Sequence, residues 1–180
     1  DRAVEVEQKK RSEATALKSQ AMTGWLAQNS LQEATFKVGY AVDEGWIQAP
    51  FDGNHGEIHP KAKDYTNSGV PFLMASDLRN GHVDLMNCKF LSRELADSLR
   101  TGFAKDKDVL LTHKGTIGET AILSCNLDYV MLTPQVTAYR VLNEERVSRE
   151  FLYYQFQSEH FQKQIKEIAA IGTTRAYIGI

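Results

Sequence analysis

The N-terminal part of the chain carries the polar and apolar pattern of one long helix. Residues 2–28 contain no proline and one glycine, and are rich in Glu, Gln, Lys and Ala, which favour helices. A narrow apolar stripe repeats at steps of three and four residues, at Ala14, Leu17, Ala21 and Trp25. The pattern predicts a long helix over residues 1–34, either packed on its own domain or forming a coiled-coil arm.

After Asn29 the pattern changes to short apolar runs separated by Gly, Asn, Asp and Pro, which is typical of strands and turns. The globular part is therefore expected to begin near residue 35. The best strand candidates are Val70–Met74, Asp108–Thr112, Glu119–Ser124 and Gln135–Val141. A turn is predicted around Asn80-Gly81.

Two serines are candidate helix caps. Ser92 would begin a short helix through Leu99 that Gly102 ends, and Ser148 would begin a longer helix that Gly172 breaks. An apolar face of the longer helix is predicted at Phe151, Tyr154, Ser158, Phe161, Ile165 and Ile168. Because strands and helices do not alternate regularly, the fold class is predicted as α+β, a mixed twisted β-sheet with flanking helices.

Composition places the chain among folded globular proteins. Its 180 residues are 42% hydrophobic and 24% charged, which excludes disordered, collagen-like and purely coiled-coil classes. No apolar run approaches the roughly 20 residues of a spanning helix, and the first residues do not resemble a signal peptide, so a cytoplasmic protein without a membrane partner is expected. Cys88 and Cys125 are expected to be reduced core thiols. The missing initial methionine and the end at Ile180 suggest an excerpt of a longer polypeptide.

Charge argues mildly against DNA binding. The 21 basic and 23 acidic residues give a net charge of −2, whereas nucleic-acid binders more often have a basic excess that neutralises phosphates. DNA binding is compatible with this balance if the cations gather on one face, or if a partner subunit supplies most of the phosphate contacts.

The run from Asp52 to His59 holds two histidines and two carboxylates, which are suitable ligands for a divalent metal. Its glycines indicate a loop, not the helical face of an HExxH site, so a polar loop is the favoured interpretation. A metal-dependent nuclease or hydrolase using Asp52, His55 and His59 is the alternative. A serine hydrolase has no GxSxG motif to support it.

Two further segments carry groups suited to phosphates or base edges. In DVLLTHKGTIGETAIL a strand, not a helix, follows the glycines, so the segment is not a Walker motif. It predicts a strand–loop–strand with His113, Lys114 and Thr116 projecting at the tip. The C-terminal segment combines hydroxyls, a cation and an aromatic ring, at Thr173, Thr174, Arg175 and Tyr177. Taken alone, the first segment is equally compatible with a solvated loop, and the C-terminal segment is a weak signal because any loop that ends a helix can carry such residues.

Four segments follow one another in a recognisable order. They are VPFLMASDL with Asn80-Gly81 after it, DVLLTHKGTIG, the helix FLYYQFQSEHFQKQI, and Gly172-Thr173-Thr174. Over about residues 46–180, their order and spacing resemble the target-recognition domain of type I restriction-modification specificity subunits. Residues 1–34 resemble the spacer helices of that family, so residues 35–180 are expected to form the target-recognition domain.

The resemblance implies sequence-specific reading of one half of a bipartite double-stranded DNA target. Catalysis would belong to partners: modification (methyltransferase) subunits that use S-adenosylmethionine, and a restriction subunit that uses ATP and Mg²⁺. This chain would hold no cofactor or metal and no catalytic residue, which agrees with its lack of an NPPY-like motif and a Walker box. With one recognition domain, it would be a fragment or a half-size subunit that pairs with a second copy or a second recognition domain through the long helix.

The loops of such a domain are expected to approach DNA. The expected contacts are Lys61, Lys63, Arg79, Asn80, His113, Lys114, Thr116, Thr173, Thr174, Arg175 and Tyr177. A target-recognition domain of a fused restriction-methylation enzyme, the metal-dependent hydrolase above, and a protein-interaction domain docked through the long helix remain the alternatives.

Overall fold

A computed structural model describes residues 37–53 and 58–171, together with four single helical positions at Val6, Lys10, Glu13 and Leu17. The rest of the long helix predicted over residues 1–34 lies outside the described residues, so that prediction is not confirmed. Also outside them are His55, Gly172, Thr173, Thr174, Arg175 and Tyr177.

Over the described residues from 38 to 171, eleven short strands are interspersed with helices, the two longest of which lie at the C-terminal side. The strands are β1 (Phe51–Asp52), β2 (Tyr65–Thr66), β3 (Val70–Leu73), β4 (Leu78–Arg79), β5 (His82–Val83), β6 (Lys89–Leu91), β7 (Phe103–Ala104), β8 (Val109–Thr112), β9 (Thr120–Ile122), β10 (Val130–Leu132) and β11 (Val136–Tyr139). The helices are α1 (Val38–Asp43), α2 (Arg93–Ser98), α3 (Arg149–Gln157) and α4 (Glu159–Ile171), with 3-10 turns at Ala62–Asp64 and Ala75–Asp77.

The strands form two main sheets and a hairpin. An antiparallel sheet has the order β1-β11-β8-β9, and a mixed sheet has the order β2-β6-β3-β10-β7, in which β3 and β10 run parallel. β4 and β5 form the separate hairpin around the predicted Asn80-Gly81 turn. This mixed arrangement confirms the α+β class.

Strand β8 is covered on both faces, so the core is divided into separate clusters on its two sides. Leu110 packs with Leu73 and Leu132 between the two sheets. On the opposite face of β8, Val109 and Leu111 pack against helix α3. Since side chains alternate along a strand, burial on both faces explains why this strand is continuously apolar in sequence.

A third cluster lies on the outer face of the five-stranded sheet. There, Ala96 in α2 and Leu99 just after it pack against Phe72 and Met131. The layers are therefore α2, the five-stranded sheet, the four-stranded sheet, and α1 with α3. Ser92 caps α2 as predicted, since its Oγ accepts a hydrogen bond from Leu95 N at 3.2 Å.

The prediction of a single long helix after Ser148 is wrong. Ser148 does cap α3, but the backbone is extended at Ser158, with φ −61° and ψ 145°. Ser158 Oγ accepts a hydrogen bond from Phe161 N at 3.2 Å and so begins α4. The predicted apolar face is confirmed in part, since Phe151 and Phe161 pack against the core and Ile165 is buried. Leu152 and Phe156, which were not predicted on this face, are also buried, whereas Ile168 is 51% exposed.

Both cysteines are free thiols, as predicted. Burial raises the pKa of Cys88 to about 11 and also raises the pKa of Cys125, so both thiols remain protonated at neutral pH. Among the described helices, none is long and apolar enough to cross a membrane.

Candidate nucleic-acid interface

Three of the segments singled out in the sequence meet near one end of the four-stranded sheet. The β4–β5 hairpin touches the start of β9, where Glu119 Oε2 accepts a hydrogen bond from Asn80 N at 3.1 Å. Helix α4 touches the loop between β8 and β9, where Gln162 Nε2 donates to Gly118 O at 2.9 Å. We call this meeting of hairpin, β8–β9 loop and α3–α4 junction the loop surface.

The hairpin turn has the tight geometry that its sequence requires. Asn80 and Gly81 both have positive φ, at 51° and 79°, which is the pattern of a type I′ turn. A Cβ added at Gly81 would lie 2.3 Å from the hydroxyl oxygen of Tyr153. Glycine is needed at this position both for the backbone conformation and for the close approach of α3.

The β8–β9 loop is closed at its base by hydrogen bonds to the backbone and side chain of Thr112. Gly118 N donates to Thr112 O at 2.9 Å, and Glu119 N donates to Thr112 Oγ1 at 3.0 Å. Gln162 also donates to Phe156 O at 2.7 Å, so one amide joins the loop to both helices of the junction. The loop is therefore held by the sheet on one side and by α4 on the other.

His113 does not project from this loop, so that part of the prediction is wrong. The side chain is only 4% exposed. Its Nδ1 lies 2.8 Å from Thr137 Oγ1, and its Nε2 lies 4.0 Å from Asp52 Oδ2. The imidazole is thus covered between β1 and β11, where it is part of the core and not of the exposed loop.

The other predicted DNA-contact residues that the structure describes lie in two separate places. Arg79 and Asn80 are exposed on the hairpin, Thr116 is exposed on the β8–β9 loop, and Lys114 is half-buried there. Lys61 and Lys63 are exposed beside the 3-10 turn that leads into β2, an edge strand of the other sheet. The structure therefore brings the hairpin and loop residues together, and leaves the two lysines on a separate element.

A groove of about 650 Å³ runs beside the hairpin. Its walls are formed by Ser76, Asp77, Arg79, Asn80, His82, Val83 and Asp84. Arg79 Nε donates to Ser76 O at 3.2 Å, and among the described residues Arg79 makes no ion pair. The groove thus offers guanidinium and amide donors beside carboxylate acceptors, a combination suited to the edges of bases.

The two carboxylates of the groove are held differently. Burial raises the pKa of Asp77, whose Oδ2 accepts a hydrogen bond from Met74 N at 2.8 Å. Hydrogen bonds from the side chain and backbone of Asn87 lower the pKa of Asp84. These bonds fix the two ends of the segment that carries the hairpin.

Sequence reasoning missed the residues that build this site. Glu119 and Gln162 connect elements far apart in the chain, and no local motif marks such connections. The glycine before Glu119 was the available signal, because Gly118 has a φ of 91° and lies against α4.

The suggested metal ligands are not brought together in the described residues. There, no group of three or more His, Cys, Asp or Glu side chains is arranged to hold a metal ion. Asp52 is in β1 near His113, and His59 is exposed, while His55 lies outside the described part of the chain. The hydrolase interpretation gains no support from these positions.

No family model matches this chain, and no curated protein matches it. Solved structures do. A chain from a structural study of complex assembly and conformational transition of the type I restriction-modification system aligns with 99% of this chain and 42% of its own length, with 17% identity and a TM-score of 0.52. The fold is that of a type I restriction-modification chain. This agrees with the resemblance found in the sequence motifs.

A second solved structure is the S subunit of a type I restriction-modification system from M. genitalium. It aligns with 74% of this chain and 29% of its own length, with 14% identity and a TM-score of 0.48. The present chain therefore spans less than half the length of each of these two chains.

Proposed function

We propose that this chain is the target-recognition domain of a type I restriction-modification specificity subunit, and that it reads one half of a bipartite DNA target. The fold shared with a type I restriction-modification chain over 99% of this sequence carries the proposal. The meeting of the hairpin and the β8–β9 loop at one surface supports it, because these elements hold two of the four motifs that resemble the family.

The proposal assigns recognition to this chain and chemistry to its partners. Modification subunits would bring S-adenosylmethionine and methylate adenine, and a restriction subunit would use ATP and Mg²⁺. A net charge of −2 fits this division, because the partner subunits would supply most of the cations that neutralise phosphates.

Two kinds of contact would hold the DNA. The exposed donors and acceptors of the hairpin, Arg79 and Asn80, would meet base edges, since arginine pairs with guanine and asparagine with adenine. The lysines Lys61, Lys63 and Lys114 would meet phosphates, which position the domain without reading the sequence. The C-terminal residues Thr173, Thr174, Arg175 and Tyr177 remain expected contacts.

The first experiment exchanges the domain. The parent chain is co-expressed with its modification subunit, and methylated adenines are mapped across the genome before and after residues 46–180 are replaced by those of another such domain. We expect a split motif in which one half changes. A motif unchanged by the exchange would overturn the proposal. The composition of the purified complex separates a type I assembly from a fused restriction-methylation enzyme.

The second experiment tests which surface meets the DNA. Lys114→Ala is compared with Lys105→Ala, since Lys105 is an exposed lysine near the opposite end of β8. Removing one phosphate contact lowers affinity for all sequences and reduces the salt slope by about 1. We expect this change for Lys114→Ala and none for Lys105→Ala. Equal effects of the two substitutions would exclude the loop surface as the binding face.

A further inference from the structure

We propose that Glu119 is a positioning residue that holds the Asn80 turn for base readout. The inference rests on the proposed function, because it specifies how the loop surface would gain sequence specificity. Its basis is the 3.1 Å hydrogen bond from Asn80 N to Glu119 Oε2, which joins the tip of the hairpin to the start of β9.

Asn80 has the properties of a reading side chain. It is exposed at the rim of the groove, and its carboxamide has no hydrogen-bond partner in the described part of the chain. A carboxamide offers one donor and one acceptor side by side, which matches N6 and N7 of adenine in the major groove. The base class recognised by this residue is therefore adenine.

The turn that carries Asn80 requires support. Its φ of 51° is in the left-handed region, which costs free energy for any residue with a Cβ. The hydrogen bond to Glu119 connects the turn to the four-stranded sheet. The Tyr153 hydroxyl of α3 lies against Gly81 and restricts movement of the turn. Because the backbone that carries Asn80 is held in this way, less conformational entropy is lost when its side chain meets a base.

The backbone of Glu119 is hydrogen-bonded to the buried strand β8. Its backbone N donates to Thr112 Oγ1 at 3.0 Å, and its carbonyl O accepts from Thr112 N at 2.9 Å. Thr112 is completely buried in β8. The carboxylate that holds the turn is therefore anchored directly to the core of the four-stranded sheet.

A carboxylate at this position has two opposite effects on DNA binding. Its charge repels phosphates and lowers affinity for every sequence, whereas its hydrogen bond orients the reading turn and acts on one base pair. Substitution separates the effects: Glu119→Gln removes the charge and keeps an oxygen acceptor, while Glu119→Ala removes both. A merely structural carboxylate would not produce this separation.

The test uses the full parent chain in complex with its modification subunit, with the target sequence taken from the methylation map. Dissociation constants are measured for the target and for all its single-base variants. Glu94→Ala is the matched control, because Glu94 is an exposed carboxylate on α2, in the outermost layer beyond the five-stranded sheet. Thermal unfolding confirms that each variant is folded.

We expect Glu119→Ala and Glu119→Gln both to bind non-specific DNA more tightly than wild type. Glu119→Ala should lose about ten-fold discrimination at one A·T pair, whereas Glu119→Gln should keep it. Asn80→Ala should lose discrimination at the same pair, and adding Glu119→Ala should cause no further loss there. Replacing that adenine by 7-deazaadenine should weaken binding to wild type and not to Asn80→Ala.

Full discrimination by Glu119→Ala, or by Asn80→Ala, would overturn the inference while leaving the proposed function intact. A wild-type complex with no sequence preference would instead overturn the proposed function. If Glu119→Ala does not fold, Glu119→Asp provides the same comparison, because it keeps the charge and withdraws the acceptor from Asn80 N. Retained discrimination by that variant would equally overturn the inference.

Discussion

Arg140 binds Asp108 through two parallel hydrogen bonds, from Nε to Oδ1 at 2.8 Å and from Nη2 to Oδ2 at 2.7 Å. Asp108 is 1% exposed, and it also accepts a hydrogen bond from Lys105 N. Arg140 donates in addition to Phe103 O at 3.1 Å. The pair thereby joins the start of β8, the end of β11 and strand β7, which belongs to the other sheet.

Arg140→Met is expected to destabilise the domain strongly. It leaves the buried carboxylate of Asp108 without its cation, and losing one partner of a buried pair costs about 3–5 kcal/mol. The control is Arg93→Met, since Arg93 pairs with Asp97 and Asp128 at a surface where all three side chains are at least half exposed. Urea denaturation should give a much smaller loss for the control. Equal losses would show that the Arg140 pair is not a main contributor to stability.

His113→Ala is expected to act on folding. Its imidazole is buried against Thr137, so truncation leaves a cavity and a buried hydroxyl that has lost its hydrogen bond, at a cost of about 2–4 kcal/mol. His82→Ala is the comparison, because His82 is exposed in the groove and its loss should change the free energy of unfolding by less than about 0.5 kcal/mol. A His113→Ala variant as stable as wild type would contradict the buried position.

Gly118→Ala and Gly115→Ala separate backbone strain from a packing conflict. Both glycines have positive φ, at 91° and 83°, so each substitution carries a similar backbone cost of about 1–2 kcal/mol. At Gly118 the new Cβ would also lie 2.6 Å from Gln162 Oε1 and 3.0 Å from Ile165 Cδ1.

Gly118→Ala should therefore cost about 1 kcal/mol more than Gly115→Ala, because Gln162 must give up a hydrogen bond to move away. Denaturation of both variants measures the difference. In a double-mutant cycle, Gln162→Ala should reduce the additional cost at Gly118. Strictly additive effects would argue that the loop and α4 are not coupled.

Stability should fall at alkaline pH through Tyr139. Burial against α3 raises the pKa of Tyr139 to about 12, from an ordinary value of 10.0, so the folded state favours the neutral phenol. The resulting stability is present below pH 10 and is lost as the pH rises toward 12.

Between pH 9 and pH 11 the wild type should lose about 1 kcal/mol more than Tyr139→Phe, which has no phenol to ionise. Urea denaturation at the two pH values measures this difference. Parallel losses in the two proteins would mean that Tyr139 ionises as readily in the folded chain as in the unfolded chain.

The features predicted from sequence were those that leave a signal in neighbouring positions of the chain. The continuous apolar run of β8 reflects burial on both faces, and the turn at Asn80-Gly81 follows from the rarity of positive φ in other residues. Ser92 and Ser148 act as caps within three residues of their partners. Such contacts are encoded in neighbouring positions, so a single sequence is sufficient to find them.

The features that were missed depend on tertiary contacts. Helical periodicity continues across Ser158, yet the backbone is extended there and Ser158 caps α4. His113 directly precedes a glycine-containing loop that looks exposed in sequence, yet β1 and β11 cover it. Glu119 is 39 positions from Asn80, and pairs at that separation leave no periodic signal.

The strand order also determines when the domain can fold during synthesis. β1 pairs with β11, and β3 pairs in parallel with β10, so each sheet is completed by a strand from the far end of the domain. At about 5–20 residues per second, Phe51 leaves the ribosome on the order of 4 to 20 seconds before its partner Ala138. The nascent chain must therefore keep two unfinished sheet edges from pairing with other chains until translation has passed β11.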